Sequence, residues 1–483
     1  MSTYSVVTFG CQMNQHDSER LGEVLSRAGY ARASSPEQAD VIVLNTCSVR
    51  EKAEQKLRSE VGRLGLLKRE RPELLIGVAG CVAQQEGERL LRKLPQIDVI
   101  VGPDNIPELP GLLAELQTGA PPRVRTRFDL ETPAFLAADP GVGQAPPTAF
   151  VTVMKGCNER CSFCIVPYTR GPERYRPAPE IIEEIARLVA AGSAEVTLLG
   201  QTVNSYRDPS RSLPRAPGVG QGQWEHTLKA QTAADESEFA ALLRAIAEAA
   251  PGLRRLRYTS PHPRHLTWSL IRAHAEVPIL ARHIHLPVQS GSDRLLKRMI
   301  RRYSVAEYLE RVAAARAAVP GLTLSTDVIV GFPGETAEDF EQTLALVERV
   351  GFTGLFGFKY SPRPYTPALK LGDDVPEAEK ARRLSELFAL SERLRQAHLS
   401  TLVGSVQRVL VEGPGRTGGY TGRSECNDIV HFGCADDPAG QIVDVRITAA
   451  YKNSVAGEMV DARRRAPAVA PKPAPGLRSL PVV

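Results

Sequence analysis

The chain has 483 residues, of which 42% are hydrophobic and 24% charged, with a formal net charge of +5. That length exceeds one ordinary hydrophobic core and predicts two to four domains of globular composition, excluding fibrous and low-complexity classes. No run approaches the roughly 18 apolar residues of a membrane span, and MSTYSVVTFGCQMNQ carries no basic stretch leading into an apolar one. The expectation is a cytoplasmic protein with no membrane contact and with reduced thiols.

Residues 1–118 alternate apolar strands with amphipathic helices. YSVVTFGC precedes DSERLGEVLSRAGY, in which Leu21, Val24, Leu25 and Ala28 recur at helical spacing. DVIVLNTC precedes EKAEQKLRSEVGRLGLLKRE, and ELLIGVAGC precedes AQQEGERLLRKL. Strand, cysteine and helix thus repeat three times, which predicts an α/β domain with a parallel sheet and the post-strand turns grouped along one edge. Residues 119–148 are rich in Pro and Gly without periodicity and read as a linker.

From 149 to 395 the alternation returns with six candidate strands: FVTVMKGC, EVTLLGQ, RLRYTS, HIHLPVQ, LTLSTDVIVG and GLFGFKYS. Six βα units predict a partial (βα)6 barrel with its chemistry at the C-terminal strand ends. Residues 207–235 break the rhythm and read as a surface insertion, where Trp224 is a loop-packing residue more than a base-stacking one. After a helix over 376–400, residues 396–462 hold short strands between Gly-rich turns and predict a small antiparallel β-barrel. Residues 463–483, rich in Pro and Ala, read as a disordered basic tail. Local basic clusters, LRRLRYTS (253–260), KRMIRRYS (297–304) and DARRRAPAVAPKPAPGLR (461–478), suit a polyanion such as RNA, although solvated faces account for any one of them equally well.

There are eight cysteines, and three of them, Cys157, Cys161 and Cys164, fall in CNERCSFC at the end of the first barrel strand. A structural zinc site wants four ligands, and the nearest histidine is His226; a redox pair needs only two thiols. Three thiolates on a 4Fe–4S cube leave one iron open to a substrate or cofactor. A second trio, Cys11, Cys47 and Cys81, is spread over the first domain at spacings of 36 and 34 residues, one strand–helix period each. Each follows its strand in a polar or glycine context (GCQMN, NTCSVR, AGCVAQ), so a parallel sheet brings the three turns together. The alternative is three small buried hydrophobes. Cys426 and Cys434 are assigned packing and no chemistry.

CNERCSFC resembles the signature of the radical S-adenosylmethionine (SAM) superfamily. Two three-cysteine sets followed by a small β-barrel resemble the methylthiotransferases within it, over roughly residues 3–461. TFGCQMNQHDSERL, NTCSVREKAEQK and GCNERCSFCIVPYTRGPERYRP are most similar to the bacterial tRNA branch. That branch acts on N6-dimethylallyl-adenosine beside the anticodon. The branches acting on a ribosomal-protein aspartate and on threonylcarbamoyl-adenosine typically carry GCPKN and GCKVN; this chain reads Gln12-Met13-Asn14 after Gly10-Cys11, so both lose ground.

The resemblance implies an enzyme with two 4Fe–4S clusters and SAM. Cys157, Cys161 and Cys164 would serve SAM and radical formation, and Cys11, Cys47 and Cys81 would serve the sulfur. It implies SAM contacts at Gln201 and Asn204 in LLGQTVNSY, Gln289 and Ser290 in HLPVQSGSD, and Asp327 and Gly331 in STDVIVGFPGET. It also implies an RNA-binding TRAM barrel with contacts at Arg423, Lys452 and Asn453. The implied partners are the tRNA anticodon loop, an electron donor such as a flavodoxin or ferredoxin, and a sulfur source, with the chain a monomer. A metal-stabilised RNA-binding protein with purely structural cysteines is the reading from another class; two trios without a fourth ligand argue against it. Two positions depart from the family: Thr202, where Asn is usual, and Tyr365 in SPRPYTPA, where Gly is usual. Neither is a cluster cysteine.

Overall fold

A computed structural model describes residues 2–49, 51–131, 133–138, 145–214, 237–416 and 418–460. Trp224 and the basic tail lie outside them.

The first domain is a six-stranded, wholly parallel sheet in the order Ala31–Arg32, Thr3–Phe9, Val41–Thr46, Leu75–Gly80, Val99–Val101, Arg123–Arg125. Alternation along the central strands divides the core into two layers. Ile42, Leu44, Ile76 and Val78 face Leu57, Val61 and Leu64 of the helix Glu51–Glu70. Val41, Val43, Ala79 and Val99 face Leu21 and Leu25 of the helix Gln12–Arg27 and Leu109 and Leu113 of the helix Leu109–Gln117. Helices on both sheet faces are what makes these strands read as unbroken apolar runs. The strand Arg123–Arg125 lies inside the segment read as a linker from 119; three residues flanked by Pro and Gly are too short for periodicity to reveal.

The second domain has six parallel strands, Thr148–Thr152, Glu195–Leu199, Arg255–Tyr258, His283–His285, Thr323–Val330 and Gly354–Lys359. They form two three-stranded sheets joined by a single bridge at Leu256–Leu280, with the helices outside. This is the open partial (βα)6 barrel expected. The helix Glu377–Thr401 packs along the last strand and leads into a closed barrel of five strands, Val406–Pro414, Tyr420–Ser424, Ile429–Gly433, Ile442–Ala450 and Val455–Met459. Its strands are antiparallel except for one parallel pairing, Val430–Val455 and onward.

Two of the three basic clusters turn part of their charge inward, away from any polyanion, while Arg254, Lys297 and Arg302 stay exposed. In the first, Arg255 donates to Arg423 O at 2.9 Å and Arg257 to Ser424 O at 2.9 Å, while Glu195 accepts from Arg257 Nε at 2.9 Å. These guanidiniums fasten the small barrel to the large one. In the second, Arg301 is buried and donates to Pro287 O at 2.8 Å, and Arg298 to Pro333 O at 3.2 Å. Arginine suits both tasks because its fixed fork satisfies several carbonyls at once. Replacing Arg255 by Met leaves buried acceptors unmatched and removes one of the two partners of Glu195. The expected cost is about 3 kcal/mol, seen as a lower melting temperature and as proteolytic release of the small barrel near Leu402–Ser405.

Candidate active site

The parallel register places the first trio. Phe9 is level with Thr46, and Thr46 with Gly80, on three adjacent strands. Cys11, Cys47 and Cys81 follow those residues by two, one and one positions, so all three leave the same sheet edge. Cys47 and Cys81 are buried and Cys11 half-buried. The turn at Cys81 requires Gly80: its φ is +89°, and a Cβ there would lie 2.3 Å from Asn45 Oδ1. Two asparagines that sequence reasoning missed tie the loops together. Asn14 Nδ2 donates to Asn45 Oδ1 at 3.0 Å, Asn45 Nδ2 donates to Asn14 O at 2.8 Å, and Cys11 Sγ donates to Asn14 Oδ1 at 3.3 Å.

The second trio sits on the loop after the first barrel strand, where Cys157 and Cys161 are buried and Cys164 is half-buried. Gly156, at φ +80°, lets the loop turn under the carbonyl of Pro172, 1.9 Å from where a Cβ would be. Cys157 N donates to Gly171 O at 3.1 Å, and Ser162 N to Met299 O at 3.0 Å, so the loop is held at both ends. Thr202, one of the two departures, touches a cysteine: its hydroxyl lies 2.9 Å from Cys157 Sγ. Arg301 Nη1 donates to Cys161 Sγ at 3.4 Å.

Burial pushes the Cys164 thiol up to about 12, and it raises Cys157 and Cys81 as well. The hydrogen bond between Cys11 and Cys47 divides that pair, holding Cys11 down at about 6 and, with burial, driving Cys47 up. Sulfurs so buried become thiolates only where a cationic body or N–H donors meet them. A tetrahedral zinc, with Zn–S near 2.3 Å, would draw its sulfurs to about 3.8 Å from one another. Among the described residues, the only set of metal-ligating atoms all within 4.8 Å of one another is Glu159, His262 and His265. The trios are therefore more open than a zinc site and suit a larger body such as an iron–sulfur cube. In the closer set, Arg264 lies 3.4 Å from the Glu159 oxygen that His265 also meets at 3.0 Å, so this carboxylate is already paired with positive groups.

A cavity of about 570 Å3 opens between the domains. Val49, Lys52 and Gln55 line it from the first domain, and Cys164, Gln289, Asp327 and Arg363 from the barrel. Phe163, Ile165, Ile329 and Phe358 give it an apolar wall. The seam is pinned by Arg363, which donates to Val49 O at 3.0 Å, and by Lys155, which pairs with Asp104 at 3.2 Å. Tyr365, the other departure, holds φ +68° and accepts a hydrogen bond from Arg89 of the first domain. A loop position expected to be altered by losing glycine is instead a strut across the seam.

The other expected contacts separate into two kinds. Gln289 and Asp327 line the cavity, and Gln289 sits in the left-handed region at φ +72°. Such strain costs of order 1–3 kcal/mol and gathers at ligand sites. Gln201 accepts from Gly156 N, and its Nε2 is buried without a partner among the described residues. Asn204, Ser290 and Gly331 are engaged within the protein. Asn204 Nδ2 donates to His262 O at 3.0 Å and Oδ1 accepts from His262 N at 2.8 Å. Ser290 Oγ accepts from Ser292 N at 3.2 Å, and Gly331 makes room for Lys380, whose Cγ would lie 2.3 Å from a Cβ. On the small barrel Arg423 donates to Glu412 at 3.0 Å, Lys452 pairs with Glu392 at 3.0 Å, and the Asn453 carbonyl accepts from Arg395 at 3.0 Å. The Lys452 pair is exposed, and such pairs are worth little, so an RNA phosphate can displace it.

Residues 3–102 match a family model described as "Uncharacterized protein family UPF0004", residues 151–347 the Radical SAM superfamily, and residues 400–460 the TRAM domain. The chain is 62% identical over 503 residues to the tRNA-2-methylthio-N(6)-dimethylallyladenosine synthase of Sorangium cellulosum (strain So ce56), covering 100% of this chain and 99% of that one. It is 46% identical over 461 residues to the enzyme of the same description from Acidithiobacillus ferrooxidans (strain ATCC 53993 / BNL-5-31), covering 95% and 97%. Among solved structures, the radical S-adenosylmethionine methyltransferase TsrM from Kitasatospora setae, with cobalamin and a 4Fe–4S cluster bound, superposes with a TM-score of 0.51 at 15% identity, covering 76% of this chain and 74% of that one. This last likeness is one of fold.

Because Asn204 closes two buried backbone groups, Asn204→Ala should cost about 2 kcal/mol of stability, measured by chemical denaturation of the metal-free chain. A loss of cofactor binding with stability unchanged would contradict this assignment.

Proposed function

Since the chain belongs to the tRNA-2-methylthio-N(6)-dimethylallyladenosine synthases of the radical SAM superfamily, we propose that it adds a methylthio group to C2 of N6-dimethylallyl-adenosine beside the anticodon of tRNA. The observation that carries this reading is the cavity between the domains. It has Cys164 in one wall, the cysteine-bearing edge of the first domain on its other side, and an apolar surface of Phe163, Ile165, Ile329 and Phe358. An isoprenyl group is apolar and gains by leaving water for such a surface, and Lys52 and Arg363, which also line the cavity, suit the phosphates of the RNA that carries it.

Cys157, Cys161 and Cys164 would hold one 4Fe–4S cluster with SAM, and Cys11, Cys47 and Cys81 a second. When bound, the first supplies a radical that takes hydrogen from the unactivated C2–H bond, and the second supplies sulfur within reach of that carbon. The protein's own part is placement and exclusion of water. Gln201 offers its free Nε2 beside the Cys157 loop, and Gln289 and Asp327 present polar atoms across the cavity. Thr202 holds the Cys157 sulfur. The small barrel, fixed to the large one through Arg255 and Arg257, would grip the RNA loop, with Arg423, Lys452 and Asn453 as contacts. The target adenine would leave its stack to enter the cavity. A flavodoxin or ferredoxin would supply electrons and a separate donor the sulfur, with the chain acting as a monomer in the cytoplasm. Among the described residues no helix is long and apolar enough to cross a membrane.

Anaerobic turnover of the reconstituted chain with dimethylallylated tRNA, SAM and a reductant tests the reading, followed by mass spectrometry of the digested nucleosides. The 2-methylthio derivative is expected, and it should vanish in Cys161→Ala and in Cys47→Ala, each of which should lose about half of the bound iron. Cleavage of SAM without product would leave the radical assignment standing and refute the substrate; threonylcarbamoylated tRNA and the ribosomal protein would then be tried.

A further inference from the structure

Two buried guanidiniums touch cysteine sulfurs, and one of them crosses between the trios. Arg170 follows the short helix Val166–Thr169, six residues beyond Cys164, so it belongs to the second trio's loop. Its Nε nevertheless donates to Cys81 Sγ of the first trio at 3.2 Å. Its Nη2 pairs with Asp17, on the helix that begins just after Cys11, at 2.5 Å. The neighbouring carbonyl, Gly171 O, accepts from Cys157 N at 3.1 Å. Arg170 is 3% exposed, and its Nη1 is buried without a partner among the described residues.

An arginine keeps its charge at any working pH, and its planar fork directs each N–H along a fixed line. A hydrogen bond to a ligating sulfur draws electron density from it and makes the iron it binds easier to reduce. The Asp17 carboxylate balances the charge of Arg170 and fixes the fork without competing for the N–H that points at Cys81.

We propose that Arg170 is a positioning residue for the first trio, supplied by the loop of the second: its N–H···S hydrogen bond to Cys81 raises the reduction potential of the cluster held there. The inference rests on the reading that Cys11, Cys47 and Cys81 hold a 4Fe–4S cluster. Arg170 Nη1 is a further buried donor without a partner among the described residues.

The test uses the reconstituted full chain with Cys157, Cys161 and Cys164 all replaced by Ala, which keeps only the first trio, and follows cluster reduction by electron paramagnetic resonance in a redox titration. Adding Asp17→Asn with Arg170→Met removes the donor and leaves the net charge unchanged. At the parent's midpoint, the ratio of reduced to oxidised cluster should fall about tenfold, which is 59 mV for a one-electron couple. Arg170→Lys, with one flexible donor, should fall between the two and serves if the double variant does not fold. In the converse chain, with Cys11, Cys47 and Cys81 replaced by Ala, the same Arg170 changes should leave the midpoint of the second cluster in place. A full iron load with an unmoved midpoint in the Arg170 variants would overturn the proposal. So would equal shifts of both clusters. If the first three-cysteine chain bound no iron while the converse chain did, the two-cluster reading itself would fall, and the proposal with it.

Discussion

Six thiols lie along one seam, and a thiolate taken out of water is unstable unless positive charge or N–H dipoles meet it. This constraint organises the centre of the molecule. Burial alone drives Cys157 and Cys164 toward the neutral thiol, yet a thiolate is the form that binds metal. The structure answers with donors placed on sulfur: Val49 N on Cys47 at 3.3 Å, Arg170 on Cys81 and Arg301 on Cys161. Those arginines are themselves buried and must be held. Asp17 holds the first, and Pro287 O with the Tyr303 ring holds the second.

Holding the arginines in turn welds the two domains. Arg170 and Lys155 reach from the barrel into the first domain, and Arg363 does so on the far side of the cavity. The cavity between the domains is bounded by the two surfaces that these contacts draw together, and of the three only Arg170 also meets a thiol. Glycine enters where backbone must pass close: Gly80 under Asn45 and Gly156 under Pro172, each directly before a cysteine. A side chain at either place would displace the sulfur that follows it.

The grouping of Cys11, Cys47 and Cys81 at one sheet edge was legible because each follows its strand within two residues, and strand ends in parallel sheets converge by geometry; Cys157, Cys161 and Cys164 stand on one loop and were legible from spacing alone. Unbroken apolar runs in VIVLNT and LIGVAG, each followed by an amphipathic helix, marked these as strands of a parallel sheet. The strand at Arg123–Arg125 was not legible, since three residues carry no period. Nor were the inward-facing arginines. RRLR and KRMIRR look in the sequence like a solvated or RNA-facing surface, and only tertiary contact shows that Arg255, Arg257 and Arg301 bond carbonyls and sulfur. Asn204, Ser290 and Gly331 sit in strand-end turns whose residue types suit a ligand as well as a backbone group, so composition could not separate the two roles. Asn45 gave no signal beyond being a polar residue near a cysteine, whereas Asn14 stands in GCQMN, GCPKN and GCKVN alike, the one signal that could have found it.

The attachment of the small barrel bears on how a nucleotide is chosen. Arg255 and Arg257 bond the carbonyls of Arg423 and Ser424, and the helix Glu377–Thr401 adds Arg395 and Gln396 on Asn453 O and Lys452 O. These bonds set the span between the five-stranded barrel and the cavity. An RNA loop held at the barrel, as proposed above, would present to the cavity the nucleotide that lies that far along it. The fold would then measure its substrate as a ruler does, with shape at a distance joining base chemistry in deciding which adenosine is reached.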